Sequence, residues 1–236
     1  MIEWFNANSG FVSILIFITT LILGWITGIF QSLRRRPKFK IKVIPGPTMC
    51  STFHTGNKFN DYDAHRTAIS LYLKISNIGN SASDIDRVEI GYHWNLNKKN
   101  WLWVKYGLGW FWLKRPTVAI EDFHTRIDKD NMKYYPFLMQ RSIITNQNPE
   151  LYLEVGKSTM GIVYFEQDES WGASSPLVEK GHVKIKIKLY DVFLKAYTTI
   201  VTIPIVELDK AKEYTQYFGE TLKAIADNNV QKESSI

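Results

Sequence analysis

From Phe11 to Phe30 the chain runs twenty residues without a charged side chain. As a helix rising about 1.5 Å per residue, that stretch crosses a hydrocarbon core of about 30 Å. It is followed at once by Arg34, Arg35, Arg36, Lys38, Lys40 and Lys42, while the flank before it carries only Glu3. Basic residues stay on the cytoplasmic side of a span, so the expected topology is a single pass with the N-terminus outside and everything from residue 34 onward in the cytoplasm. A signal peptide has the opposite pattern, with basic residues before a shorter apolar run and a small-residue cleavage site after it. The run therefore reads as an uncleaved anchor in the cell membrane. The single cysteine, Cys50, has no partner for an internal disulfide, which suits a reducing compartment.

The formal net charge of +6 looks like a nucleic-acid signature until its position is considered. Setting aside the six basic residues of 34–42 and restoring Glu3 leaves residues 43–236 at a formal +1. Juxtamembrane Lys and Arg gain about 1 kcal/mol each against an anionic leaflet, so Arg34, Arg35, Arg36 and Lys38 are expected to contact lipid headgroups. Nucleic acid is not an expected partner. Within the span, Thr20, Gly24, Gly28 and Ser32 recur every fourth residue, a small-residue face on which two helices can approach closely and form a homo-oligomer. An incidental pair of glycines in a lone anchor accounts for the same residues. Trp4, Phe5 and Trp25 fit the interfacial aromatic belt.

Beyond the anchor the period changes from helical to alternating. Residues 38–43, 68–76, 85–94, 151–155, 160–166, 183–190 and 197–206 each read as strands bounded by turn residues. Residues 51–65, rich in Asn, Asp, Gly and Thr, read as a long loop. Short alternating strands without intervening helices predict a β-sandwich over 38–206. Domain boundaries follow: 1–33 flank and span, 34–37 basic linker, 38–206 sandwich with an aromatic insertion at 94–115, 207–227 C-terminal helix, and 228–236 disordered tail. That helix is expected to be amphipathic, because Leu208, Ala211, Thr215, Phe218, Leu222 and Ile225 recur at spacings of three and four. Lys184, Lys186 and Lys188 alternate with apolar residues, as do Lys38, Lys40 and Lys42, and lysine rows of this kind usually guard sheet edges. Should the two strands pair, their lysines make one basic face.

The run Leu71-Tyr72-Leu73-Lys74-Ile75-Ser76-Asn77-Ile78-Gly79-Asn80-Ser81-Ala82 resembles the strand and turn of bacterial immunoglobulin-like adhesion modules of the CARDB type, and the Gly156 turn before a strand fits them too. The resemblance covers about a third of the chain. It implies a mainly β, Greek-key immunoglobulin-like sandwich used for binding or spacing. Extracellular adhesion is not carried over, since the chain departs from the family in its cytoplasmic topology, its aromatic insertion and its C-terminal helix.

Five of the eight tryptophans, Trp94, Trp101, Trp103, Trp110 and Trp112, fall within residues 94–112 together with Tyr106 and Phe111. Alternation puts Trp101 and Trp103 on one side of a strand and Trp110 and Trp112 on one side of the next, with Gly107-Leu108-Gly109 as the turn of a hairpin. Three fates stay open for these rings: filling the sandwich core, meeting lipid headgroups, or binding a protein partner. Trp101, Trp103, Tyr106, Trp110 and Trp112 are the candidate contact residues. The segment is too short to be a second span and Lys105 interrupts it.

Catalytic motifs fail. Gly156-Lys157-Ser158-Thr159 resembles the end of a phosphate-binding loop, but Leu151 stands where the first glycine belongs and a strand, not a helix, follows. His54, Asp61, Asp63 and His65 offer metal-ligand chemistry at a spacing that matches no defined metal signature. His93, His124 and His182 are scattered singles. The expected protein is a non-enzymatic binding or scaffolding module at the membrane surface, with no cofactor, no metal and a protein partner. The alternative is a ligand-gated effector that disturbs the bilayer, as in bacterial stress or phage defence.

Overall fold

The computed structural model describes residues 4, 7–28, 35–96, 101–129, 131–142, 144 and 149–221. Helix α1 (Ser9–Ile26) is long and apolar enough to cross a membrane. Its large side chains, among them Phe11, Ile14, Phe17, Leu21 and Trp25, are exposed around the whole helix, so it is no core helix of the globular part. Hydroxyls within it turn inward to the backbone, Ser13 Oγ donating to Ser9 O at 2.8 Å, Thr19 Oγ1 to Leu15 O at 2.7 Å and Thr20 Oγ1 to Ile16 O at 2.8 Å, so an apolar solvent does not penalise these donors. The helix stops at Thr27 and Gly28, whose φ of +74° is the left-handed conformation glycine accepts without strain.

Every strand pair that follows is antiparallel. The first sheet is centred on β3 (Tyr62–Asn77). One edge of β3 carries β1 (Phe39–Val43) and β2 (Met49–Phe59), and the other carries β9 (Ser158–Glu166) and β10 (Ser170–Trp171). In the second sheet β12 (His182–Asp191) lies between β13 (Ala196–Pro204) and β4 (Ser83–Tyr92). Beside β4 lie β5 (Phe111–Leu113) and the short β8 (Tyr152–Leu153), while β11 (Val178–Glu179) pairs with the start of β12. Alternation sends Ile69, Leu71, Leu73 and Ile75 of β3 against Val88, Ile90 and Tyr92 of β4 and Ile185, Ile187 and Leu189 of β12. All are fully buried, each such aliphatic side chain contributing about 1.5–3 kcal/mol.

A second core lies on the outer face of the first sheet. There Ala68, Ile162 and Tyr164 are covered by the hairpin of β6 (Phe123–Arg126) and β7 (Met132–Tyr135) and by the C-terminal segment. Phe123 is its hub, with ring centroids 5.8 Å from Phe137, 5.7 Å from Tyr164 and 6.0 Å from Phe218.

Several expectations change here. Residues 51–65 form a hairpin rather than a loop: β2 and β3 are joined by the two-residue turn Asn60-Asp61, with Asn60 at φ +53°. Strand β12 is interior to its sheet, so Lys184, Lys186 and Lys188 line an outer face instead of guarding an edge. Strands β1 and β12 belong to different sheets, and their lysine rows do not join. Of the helix expected at 207–227, the described residues are helical only in α2 (Leu208–Lys212), and turns follow. The pattern still buries Ala211, Thr215 and Phe218 against the sandwich, but Gly219, at φ +81°, donates its N–H to Tyr164 Oη at 2.8 Å and holds the chain out of a helix. Residues 222–227 and the tail 228–236 lie outside the described residues.

Candidate functional site

The two ends of the sandwich differ. At the end where β4 finishes and β12 begins, the aromatic insertion closes over the opening between the sheets. Residues 101–108 are helical, with a π-helical turn at Trp103–Leu108 closed by Gly109 N–H donating to Val104 O at 3.3 Å. The expected hairpin is therefore replaced by a helical turn leading into β5. The turn is fixed to the sheet by Trp94 N–H, which donates to Tyr106 O at 2.9 Å, and by aromatic stacking, with Tyr106 at 4.3 Å and Phe111 at 4.8 Å from the Trp94 ring.

Between this insertion and residues 166–174 lies a cavity of about 760 Å³, within the usual range for binding sites. Trp94, Leu96, Leu102, Phe111, Leu113 and Trp171 supply most of its apolar lining. Its wall on the first sheet is held by the buried Tyr92 hydroxyl, which donates to Gln167 Oε1, while Gln167 Nε2 donates to Ser170 Oγ at 3.1 Å. Burial raises the Tyr92 pKa well above the ordinary tyrosine value, so this hydroxyl stays a donor. The buried Trp94 indole N–H faces it without an acceptor in hydrogen-bonding geometry. Trp171 is clamped from the other side by Phe59, stacked at 3.9 Å.

The lining carries both signs of charge. Lys114 and Arg115 follow β5, and Glu166, Asp168 and Glu169 are also in the lining. Glu166 is paired with Arg66 at 3.0 Å and accepts from Tyr164, yet burial dominates and raises its pKa. Glu169 is lowered by the hydrogen bonds of Thr55 and Asn57. Lys114, Arg115 and Asp168 make no ion pair among the described residues.

The five candidate aromatics do not share one surface. Trp101 is 74% exposed and Trp103 lies against Gly107. Tyr106 packs on Trp94 behind the groove, while Trp110 packs on His93 at 4.0 Å. Trp112 lies over Gly91 on the outer face of the second sheet, with Lys188 Nζ 3.8 Å above its ring and Lys186 Nζ 5.3 Å from that of Trp110. The β12 lysines are thus interleaved with the tryptophans. Of the anchor residues, Thr20 and Gly24 lie within α1, Gly28 lies past its end and interrupts the small-residue face, and Ser32 lies outside the described residues. Arg35, Arg36 and Lys38 lead into β1, and Arg34 lies outside the described residues.

The metal candidates are dispersed. His54 and His65 face each other across the β2–β3 ladder, and Asp63 pairs with Lys58 at 3.8 Å. No group of three or more His, Cys, Asp or Glu arranged to hold a metal occurs among the described residues. His65 sits behind the groove, near Ser170 and Ser174, its pKa lowered by burial and then by His54. The turn at Gly156, with φ +81°, leads directly into β9, so no helix follows Lys157. Sequence reading missed Trp171, Leu96 and the acidic wall, which reach the insertion only through β10 pairing with β3. The available signal was an isolated Trp171 beside Gly172 in a polar stretch. Comparison with protein-family models and with curated proteins found no match to this chain.

Proposed function

We propose that this protein is a single-pass, membrane-anchored binding module, with its N-terminus outside and its sandwich in the cytoplasm, whose aromatic groove receives apolar side chains of a protein partner. The observation that carries the reading is the groove itself: about 760 Å³ lined by Trp94, Leu96, Leu102, Phe111, Leu113 and Trp171, with Lys114, Arg115, Asp168 and Glu169 also in the lining. Leu102 and Trp171 remain exposed, and aromatic anchors beside charges of both signs are what a partner interface uses for affinity and register. No residue is asked to do chemistry, and no cofactor is needed.

The immunoglobulin-like reading is supported by strand order. β1-β3-β9 form one sheet and β13-β12-β4-β5 the other, and the chain changes sheets between β3 and β4, between β5 and β9, and between β9 and β12. The anchor reading is supported by the exposed apolar surface of α1, and the orientation by Arg34, Arg35, Arg36 and Lys38 just after it.

The test is crosslinking and recovery from intact membranes, comparing wild type with a Leu102→Arg, Trp171→Ala variant whose fold is checked by circular dichroism. Loss of two hot-spot contacts is expected to weaken capture of the partner by about thirty-fold or more. Equal capture by a folded variant would sink the groove as the binding site.

A further inference from the structure

The opposite end of the sandwich carries an apolar tip that its own turn chemistry does not require. Asp191 is fully buried and organises the β12–β13 turn: its Oδ1 accepts the N–H groups of Phe193 and Lys195, both at 2.9 Å, and its Oδ2 accepts the Tyr197 hydroxyl at 3.0 Å. Leu194 N–H closes the turn onto Asp191 O at 2.9 Å. The tip of this rigid loop reads Val192-Phe193-Leu194, with Phe193 72% and Leu194 65% exposed. Leu194 is held at φ +60°, a position that Gly or Asn fills without strain and a branched apolar side chain does not. A water-facing turn gains nothing from this choice.

The same end receives the chain from α1. The Tyr197 O–H is shared between Asp191 Oδ2 and Pro37 O, the latter at 2.7 Å, Arg36 N–H donates to Asn80 Oδ1 at 2.7 Å, and Ile78 N–H donates to Lys38 O at 2.8 Å. Asn77 N–H donates to Lys157 O at 3.0 Å, which adds the 154–157 turn. Ile78 and Val155 are further exposed apolar side chains there. Arg35, Arg36, Lys38, Lys157 and Lys195 cluster at this end against Glu154 and Asp84, since the Asp191 carboxylate is consumed inside. From Gly28 to Arg35 the chain can extend no more than about 25 Å, so a spanning α1 keeps this end beside the bilayer at high effective concentration.

We propose that this end is a lipid-docking surface: Val192, Phe193 and Leu194 enter the headgroup region of the bilayer that holds α1, and the neighbouring Arg and Lys side chains take lipid phosphates. The inference rests on α1 being a membrane span. It sets the sandwich upright with its aromatic groove facing away from the bilayer, so the tryptophans of the insertion do not contact lipid.

The test uses the full chain reconstituted in phosphatidylcholine vesicles containing phosphatidylglycerol, with an environment-sensitive fluorophore on single introduced cysteines. Cys50 stays unlabelled, being fully buried with its thiol pushed up to about 12 by burial. Labels at Ile18→Cys, Phe193→Cys, Val155→Cys and Trp101→Cys are challenged with lipids bearing a nitroxide near the headgroup or deep in the acyl chain. Expected is deep quenching at 18, shallow quenching at 193 and 155, and none at 101. Adding Phe193→Asp is expected to reduce quenching at 155 to the level of 101. Quenching at 18 with none at 193 overturns the docking surface and leaves the span intact, as does a blue-shifted but unquenched 193 label, which reports burial against protein. Quenching at 101 in place of 193 inverts the orientation and overturns it. An unquenched 18 overturns the span and the docking surface together.

Discussion

The two ends of the sandwich solve the same problem, how to close a pair of sheets, with different chemistry. At the end that receives the chain from α1, closure is polar. Asn77 alone donates to Ser81 O at 2.8 Å and Leu153 O at 2.9 Å and accepts from the N–H groups of Gly79 at 3.0 Å and Lys38 at 3.4 Å. Gly79 is needed because a Cβ there would collide with the backbone of Arg36 and Lys38. At the far end, closure is apolar: Trp94, Tyr106 and Phe111 interlock, and Trp171, stacked on Phe59, lines the groove they leave. Polar turns fix the backbone without needing their side chains to cover anything, so the tip residues are free for another use. Interlocked rings close the top but cannot tile it completely, and the gap they leave is the binding site we propose.

If this contrast is right, the near end breaks through lost hydrogen bonds. Asn77→Ala strands buried carbonyl groups and is expected to lower unfolding stability by about 3 kcal/mol, read by chemical denaturation. At the far end Tyr92→Phe removes one buried donor and leaves Gln167 Oε1 unsatisfied, for an expected loss of about 1.5 kcal/mol in the same assay. Leu194→Asn sharpens the comparison by moving the other way. Relief of the left-handed leucine is expected to raise stability by about 0.5 kcal/mol while weakening membrane association, and a destabilised variant would show that the tip is there for folding. The smallest effect concerns pH. The folded pKa of His65 is depressed, so its contribution is present above the unfolded value of about 6.5 and is lost as pH falls from there through the lower folded value. Thermal denaturation should therefore show a fall in stability between about pH 7 and 5 that is smaller in His65→Gln.

The near end was largely legible in the sequence and the far end was not, for a physical reason. Residues 68–76 alternate strictly, and Asn77-Ile78-Gly79-Asn80 is marked as a turn by its own composition, although most of its hydrogen bonds reach residues 36–38 and 153–157. The apolar helix α1 was legible because no charge interrupts it. By contrast, residues 51–65 carry so many turn formers that their pairing with β3 is invisible until the Asn60-Asp61 turn places Phe59 opposite Tyr62. Residues 101–108 alternate tryptophans as a strand would, yet Trp103 and Tyr106 turn helically to reach Gly107 and Trp94. The C-terminal spacing marked Ala211, Thr215 and Phe218, which are buried, but not the backbone that buries them, since α2 ends at Lys212 and Gly219 is then tied to Tyr164 on a strand more than fifty residues earlier. The groove needs both the insertion and residues 166–174, and no local pattern connects them.

The most direct test of a module with a lipid end and a partner end is to place one photocrosslinking amino acid at Leu102 or at Phe193 of the full chain, irradiate intact membranes, and identify the adducts by mass spectrometry. The account predicts peptide adducts of a protein partner at 102 and phospholipid adducts at 193. Lipid adducts at 102, or protein adducts at 193 with none at 102, would contradict it.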